Sequence, residues 1–363
     1  METQVRTPQM VFMQPQRLIV PLFQRPYVWN QETQWEPLWE DVKRVAERVT
    51  AEPNGKHQPH FLGAVVLQQM PNQAGLMQQR TIIDGQQRLT TLQLLLDALS
   101  AQLIEAKALP CAARIEPLVT NAEPFCSKAE DRFKVWPTNR DRPAFNEVMA
   151  ASAPVNHSSL KHRNERMVQA HRYFSEQVGE WLNMGGTDLV QIRAAAIERA
   201  ARELVQLVVI DLAVDENAQE IFETLNARGA QLTAADLIKN FIFQRLLEAD
   251  ADVERSYEQY WKEFETEFWE VEVSVGRFRH PRSSVFLNHW LIAQTGEEVV
   301  AREVFDRFKR FADHDAGLSM QELLKRLHAA AAVYRNFIES ASKESGLVDR
   351  LGLFGYPRGV REC

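Results

Sequence analysis

A polar cluster, Asp84–Arg88 with the sequence DGQQR, lies where a strand pattern gives way to a helix pattern. The preceding Arg80–Ile83 is short, β-branched and apolar, whereas leucines recur at helical spacing from Leu89 to Leu99. The first turn of a helix has unpaired N–H groups and a partial positive charge, which together favour an anion such as a phosphate. The cluster therefore predicts a phosphate site at a helix N-terminus, with a tight turn and a solvated helix start as the alternative.

Each residue type in this cluster suits one part of phosphate chemistry. Gly85 lets the backbone approach a phosphate closely, and Arg88, one turn into the helix, adds a fork of donors. Asp84 is suited to holding Mg²⁺ or orienting an attacking water. The neutral amides of Gln86 and Gln87 can position a water or a phosphate oxygen without repelling a triphosphate.

A second strand-to-helix junction follows the apolar strand predicted at Leu204–Leu212. Glu223 and Asn226 are three residues apart and so share a helix face, and Gly229 is typical of a helix end. The alternative for this pair is an ordinary polar helix face. Thr233, three residues before an aspartate, predicts a capping box for the next helix.

The segment Gln24–Trp29, QRPYVW, combines an arginine with aromatic residues in a predicted loop. Such a segment suits stacking on a base or a nucleotide ring, or it anchors the loop on the core. His57 and His60 raise the question of a metal pair, but structural or surface roles are favoured because no carboxylate accompanies them. The basic run Arg277–Ser284 is either a solvated loop or a contact with DNA phosphate.

Bulk properties limit the class of protein. The chain has 363 residues, of which 45% are hydrophobic, enough for roughly two domains with sizeable cores. The net charge of −7 excludes a uniformly basic nucleic-acid binder, so any such contact must come from a local patch. The 3 cysteines form no Cys-x-x-Cys pair, and no run is apolar enough to span a membrane. A reducing, cytoplasmic location is expected.

The periodicity predicts an α+β first part and a mainly helical remainder. A hairpin is expected to join residues 60–70 to the strand that precedes Asp84, and helices are expected over residues 161–203. From residue 248 to 353 the pattern predicts amphipathic helices only. The aromatic residues between Tyr257 and Trp269 belong either to a core or to a dimer surface, so a homo-oligomer stays open.

Several motifs occur in an order that resembles the N-terminal domain of GmrSD-type restriction enzymes over roughly residues 15–245. They are Gln24-Arg25-Pro26-Tyr27-x-Trp29, Trp39-x-Asp41, His60-Phe61-x-Gly63, Asp84 to Thr91, Phe222-Glu223-x-x-Asn226-x-x-Gly229-x-x-Leu232, and Asp236-Leu237-x-Lys239-Asn240. The resemblance includes members that act in phosphorothioation-linked defence against phage.

This resemblance implies a small ParB/sulfiredoxin-like mixed sheet with helices, in which the DGQQR motif serves nucleoside triphosphate hydrolysis coupled to DNA cleavage. Sulfiredoxin chemistry itself is not expected, because the motif has no cysteine. The implied organisation is a domain over residues 1–245, with a helical insertion around 110–200, and a helical domain over 246–363. The family's C-terminal His-Asn-His type nuclease domain is not expected within these residues, and we predict little DNA cleavage by this chain alone.

The residues and the resemblance together give a set of candidate roles. The candidates for catalysis are Asp84, Gln86, Gln87, Arg88 and Glu223, with Asp84 and Glu223 also as Mg²⁺ ligands. The candidates for nucleotide binding are Gly85, Arg25, Asn226 and Lys239, and those for DNA sensing are Gln24, Tyr27 and Trp29. Gln24, Arg25 and Tyr27 are expected on the rim of the site, as nucleotide contacts or as part of the surface that inspects DNA.

Three functions are open at this point. The first is an NTPase, with GTP favoured by the resemblance, that senses modified double-stranded DNA; phosphorothioate is preferred because the Pro26–Trp29 segment is apolar. The second is a DNA-binding module gated by nucleotide without turnover. The third is a DNase with Asp84 and Glu223 as metal carboxylates. The acid groups favour the first, because phosphate binding alone would not require them.

Overall fold

The computed structural model describes residues 1–71, 77–216, 221, 232–275 and 278–343, with side chains up to residue 339. It divides into two compact units, residues 1–222 and residues 223–363. The contact boundary therefore falls earlier in the chain than the boundary expected at residue 245.

The first unit contains a six-stranded mixed sheet. Its strands are β1 (Glu2–Arg6), β2 (Gln16–Ile19), β3 (His60–Gln69), β4 (Gln78–Asp84), β5 (Val135–Trp136) and β6 (Val205–Leu212). Their spatial order is β1-β6-β3-β4-β2-β5. The helices of this unit are α1 (Pro8–Phe12), α2 (Glu36–Ala51), α3 (Gln86–Glu105), α4 (Leu109–Val119), α5 (Arg142–Met149), α6 (Arg166–Asn183) and α7 (Val190–Arg199).

Strand β3 lies in the middle of the sheet. It pairs antiparallel with β4, which confirms the predicted hairpin, and parallel with β6, with His60 opposite Val205. The register with β6 shifts between Phe61 and Ala64, where Gly63 has φ +109°. The mixed sheet with surrounding helices confirms the predicted α+β class.

Helix α3 is the central helix of the first unit. It packs against α4 and α6, and it is apolar on most of its faces, so that its leucines from Leu89 to Leu103 are buried. A helix that is apolar nearly all round is typical of the interior of a domain. The position of α3 is therefore fixed by packing along its length, and its first turn is held by the core behind it.

The second unit is mainly helical. Its helices are α8 (Ala234–Glu248), α9 (Val253–Tyr260), α10 (Glu267–Glu270), α11 (Arg282–Thr295), α12 (Val304–Arg310) and α13 (Met320–Lys343), and it also contains β7 (Glu272–Val275) and β8 (Phe278–Pro281). Tyr257, Trp261, Phe264 and Trp269 are all buried among other aromatic rings. These aromatic residues therefore belong to a core, which settles the alternative left open by the sequence.

Two parts of the fold differ from the prediction. The antiparallel pair β7–β8 lies in a region where only helices were expected, and it contains Arg279 and His280 of the basic run. Strand β1 and helix α1 were not predicted, because the sequence of β1 is polar and four of its five residues are exposed. No helix of the described residues has the length and apolar character needed to cross a membrane.

Candidate functional site

The polar cluster forms the turn between β4 and α3, as the sequence predicts. Strand β4 ends at Asp84, and Gly85 follows with φ +86° and ψ +15° as the N-cap of α3. The first helical hydrogen bond runs from the Leu89 N–H to the Gly85 carbonyl at 3.0 Å. Gly85 has no side chain to cap the first turn of α3, so the backbone N–H groups of that turn are left for another acceptor.

Gly85 is required here for two reasons. Its positive φ lies in the left-handed region, which residues with a side chain adopt at a cost. In addition, a Cβ atom at this position would lie 2.6 Å from Cγ1 of Val65 in β3. The backbone of the turn therefore sits directly on the central strand.

Arg88 reaches back from α3 to the same strand. One terminal nitrogen donates to the Ala64 carbonyl at 2.5 Å, and a Cβ atom at Gly63 would lie 2.8 Å from Nη2. Burial lowers the pKa of the guanidinium, and the negative charge of Asp84 opposes that change. Arginine keeps its charge at neutral pH. The site thus has a fixed, half-buried cation beside the helix N-terminus.

Asp84 provides the acidic group of the site. It is the last residue of β4, lies opposite Val66 of β3 and is half-buried. Among the residues that the structure describes, its carboxylate has no hydrogen bond or ion pair. It attracts the Arg88 guanidinium electrostatically. The carboxylate is therefore available for a water or a cation.

The side chains of Gln86 and Gln87 both contact the main chain of the Gln24–Trp29 loop. The Gln86 amide donates to the Arg25 carbonyl at 3.1 Å, and the Gln87 amide donates to the Pro26 carbonyl at 3.0 Å. The Gln87 Oε1 accepts from the Val28 N–H at 2.9 Å and from the Trp29 N–H at 3.3 Å. In this state the two amides position the loop, which differs from the predicted contact with water or phosphate.

Gln24 and Tyr27 are buried, with 6% exposure each, so their expected place on the rim is wrong. The Gln24 amide donates to the carbonyl groups of Ile82 and Ile83, at 2.8 and 3.0 Å, just before the site. The Tyr27 hydroxyl lies 2.7 Å from the Thr91 hydroxyl, and burial raises its pKa strongly. Direct contact of either side chain with DNA would require the loop to rearrange.

Arg25 and Trp29 are more accessible members of this loop. Arg25 is half-buried, and its guanidinium has no hydrogen bond or ion pair to any described residue. Trp29 is half-buried and packs against the core of the first unit. Arg25 is therefore the loop side chain that is best placed to meet an anion.

Two further residues hold the other side of the loop. Asp141 Oδ2 accepts from the Tyr27 N–H at 2.9 Å and from the Thr138 hydroxyl at 2.6 Å. Arg166, at the start of α6, donates to the Val28 carbonyl. Neither Asp141 nor Arg166 stands out in the sequence, because a contact between distant segments leaves no local sequence pattern.

Other motif residues have structural contacts. His60 Nε2 lies 3.1 Å from Asp41 Oδ2, which joins β3 to α2, and Trp39 is buried in the core. His57 bonds to the Glu52 carbonyl. These contacts agree with the structural roles favoured for the two histidines.

Three other candidates cannot be placed at this junction. Glu223 and Asn226 lie outside the described residues. Lys239, in α8 of the second unit, is 4% exposed and forms an ion pair with Glu265, which accounts for its burial without a nucleotide.

A divalent cation fits the donor set at this junction. In the part of the chain that the structure describes, no three His, Cys, Asp or Glu side chains are grouped to hold a metal by themselves. Mg²⁺ often takes only one or two protein carboxylates together with substrate phosphates and waters. The unpaired carboxylate of Asp84 beside an open helix start suits that mode of binding.

Comparison with known proteins identifies the family of most of the chain. The family model for the N-terminal domain of GmrSD restriction endonuclease matches residues 9–243, which is more than half of the chain. No curated protein matches the chain. The matched region contains the β4–α3 junction, the Gln24–Trp29 loop and all the strands from β2 to β6. The chain belongs to the family of GmrSD restriction endonuclease N-terminal domains.

Proposed function

We propose that this chain hydrolyses a nucleoside triphosphate at the β4–α3 junction and acts in a restriction system that defends against phage. GTP is the first choice of nucleotide, and phosphorothioate DNA the first choice of sensed modification. Family membership supports the restriction role and contact with DNA. The observation that supports hydrolysis is an unpaired carboxylate, Asp84, beside an uncapped helix start and the fixed cation Arg88.

The residues of the junction have complementary tasks in this proposal. The free N–H groups at the start of α3 bind phosphate oxygens, and Gly85 allows their close approach. Arg88 stabilises the negative charge that develops on the phosphate, because its bond to the Ala64 carbonyl fixes its position beforehand. Asp84 orients the attacking water.

Asp84 would also hold Mg²⁺. The cation supplies neutralisation of the triphosphate charge when bound. Arg25 meets the outer phosphates or the DNA from the loop, since its guanidinium has no partner among the described residues.

Gln86 and Gln87 have a positioning role in this scheme. Their amides hold the Gln24–Trp29 loop through main-chain groups on four of its residues, Arg25, Pro26, Val28 and Trp29. Movement of the first turn of α3 on nucleotide binding would therefore be transmitted to the loop. This connection offers a physical route between triphosphate turnover and DNA recognition.

A nucleotide-gated binding module without turnover is the second candidate. The observation that favours it is the engagement of Gln87 by the loop, because both its amide nitrogen and its amide oxygen are bound there and neither is free to place a water. Steady release of product distinguishes the two functions.

The decisive experiment measures phosphate release from GTP, ATP, CTP and UTP with Mg²⁺, with and without phosphorothioate DNA. Asp84→Ala and Arg88→Ala are compared with the intact chain and with Arg172→Ala, which removes an exposed arginine of α6. We expect turnover that rises with modified DNA and falls by roughly 10²-fold or more in both site variants, because each removes electrostatic stabilisation of the transition state.

Two results would count against this function. Turnover that survives in folded Asp84→Ala and Arg88→Ala proteins would place the chemistry elsewhere. Tight nucleotide binding without any turnover would favour the gated binding module.

A further inference from the structure

A cavity of about 240 Å³ lies on the first unit, away from the β4–α3 turn. It is lined by residues of β1, β2, β3 and β4, by helix α1 and by Gln14, which follows α1. At ~30 Å³ per water, this volume holds about eight waters, or a small organic anion. Its lining includes neither Asp84, Gly85 nor Arg88, so it is distinct from the proposed hydrolytic site.

Two arginines give the cavity its charge. Arg6 of β1 and Arg80 of β4 both bind the carboxylate of Asp211, at 2.7 and 2.8 Å. Asp211 is 7% exposed, so this cluster is fixed within the sheet. The wall of the cavity thus carries two cations that share one carboxylate.

Donors remain unused on these two guanidinium groups. The Nε atom of Arg80 is buried and has no hydrogen-bond partner in the structure. Arg6 uses Nε for the Gln4 side chain and one terminal nitrogen for Asp211, which leaves the other terminal nitrogen without a partner among the described residues. The terminal nitrogen of Arg6 that has no partner favours an oxyanion ligand, since each guanidinium has five N–H groups to satisfy.

A third cation lies behind the cavity wall. The Lys134 ammonium donates to the main-chain carbonyl of Gln14, a lining residue, at 3.0 Å, and Lys134 is 1% exposed. Burial lowers the pKa of Lys134 to about 8, so the group is still mainly charged at neutral pH. The lining also includes the apolar side chains of Leu67 and Val11.

We propose that this Arg6–Arg80 cavity is a binding site for a small oxyanion, a phosphate or carboxylate compound, that is separate from the triphosphate site. The anionic group binds the free terminal nitrogen of Arg6 beside the charge of Arg80, and the apolar side chains of the lining contact the rest of the ligand. Met10, with 58% exposure, lies at the mouth.

The test is isothermal titration of the full chain with inorganic phosphate, ribose 5-phosphate and acetate at constant ionic strength. We expect binding of at least one of them, retained in Arg88→Ala and weakened at least tenfold in Arg80→Gln. Acetate binding would identify a carboxylate ligand, and binding of the two phosphates alone would identify a phosphate ligand. Arg172→Gln, at an exposed arginine of α6, is the matched control and should bind normally.

Because Arg80→Gln also removes a partner of Asp211, a second variant keeps all charges and closes the entrance. Met10→Trp changes an exposed side chain and should weaken binding to the same extent. Absence of binding to the intact chain would overturn the proposal. Binding that is unchanged in both Arg80→Gln and Met10→Trp, or lost in Arg88→Ala, would overturn it as well.

Discussion

Two helices of this chain begin in opposite ways. Helix α3 begins at Gly85, which provides no side-chain cap, whereas α8 begins at Thr233, whose hydroxyl accepts from the Asp236 N–H at 3.1 Å. Asp236 in turn accepts from the Thr233 N–H at 3.1 Å, which completes the capping box predicted from the sequence. A helix start that satisfies its own donors has little to offer a ligand. The comparison indicates that α3 gives up local stability and keeps donors available for phosphate.

The largest expected effect concerns the cations that follow the two helix starts. Arg88→Ala should lower triphosphate turnover by roughly 10²-fold or more, because it removes a positioned charge. Lys239→Met should leave turnover nearly unchanged, since Lys239 is already paired with Glu265. Phosphate release by the two purified proteins checks this. Loss of turnover in a folded Lys239→Met protein would contradict a purely structural role for Lys239 and would indicate that it contacts the nucleotide.

The next effect concerns the glycine that opens α3. Gly85→Ala should lower the free energy of unfolding by about 3 kcal/mol, because it combines a left-handed backbone with a clash against Val65. Gly296→Ala is the matched control: its φ is +71°, but open space surrounds the position, so only the backbone cost of about 1 kcal/mol applies. Urea denaturation measures both. Equal losses in the two variants would show that the contact with β3 is unimportant.

The capping box of α8 gives a smaller effect. Thr233→Ala should lower the free energy of unfolding by about 1 kcal/mol, the usual cost of losing a side-chain cap. Triphosphate turnover per folded molecule should not change. Urea denaturation followed by phosphate release tests both statements, with Thr295→Ala, near the end of α11, as a control. A change in turnover at unchanged stability would contradict a purely structural role.

The smallest effect concerns the pH dependence of stability that comes from a histidine pair packed against α3. Asp97 of α3 lies 3.0 Å from His171 Nε2, and His171 Nδ1 lies 2.8 Å from His157 Nε2. Burial, followed by the charges of His171 and Arg172, lowers the pKa of His157 to about 4. Between that pH and the ordinary value of about 6.5, the unfolded chain binds more protons, so acidification should lower stability.

Thermal unfolding between pH 7 and pH 4 measures this dependence. His157→Gln should flatten it slightly, whereas His314→Gln, at an exposed position in the second unit, should not. An identical pH profile for His157→Gln and the intact chain would show that the pKa of His157 is the same in the folded and the unfolded chain.

The sequence predicted the parts of the site that depend on local pattern. The turn at Gly85, the hairpin of β3 and β4 and the capping box at Thr233 each follow from residues close together in the chain. The roles of Gln86 and Gln87 did not follow, because their partners lie about sixty residues away in an irregular loop. A glutamine has the same appearance in a sequence whether its amide meets water or a backbone carbonyl.

Strand β1 and the β7–β8 pair were missed for a related reason. Strand β1 is polar and lies at the edge of the sheet, where its side chains are mostly exposed to solvent. It therefore lacks the apolar residues that mark a strand in the sequence. The β7–β8 pair is short and mostly exposed, and the polar–apolar alternation of β7 covers only four residues, too few to outweigh the helical pattern around it. The buried strand β6 was predicted because its apolar run reflects its burial in the sheet.

The pairing of β3 with β6 also has a consequence for how the protein is made. These neighbours in the sheet are separated in the chain by residues 70–204, so the centre of the sheet depends on contacts that are remote in sequence. Such topologies fold slowly, because a long loop must close before the strands gain their contacts. During synthesis, one edge of β3 stays without its partner until Val205–Leu212 has left the ribosome. A nascent chain arrested before that point therefore presents an open strand edge, which is a site for aggregation or for a chaperone.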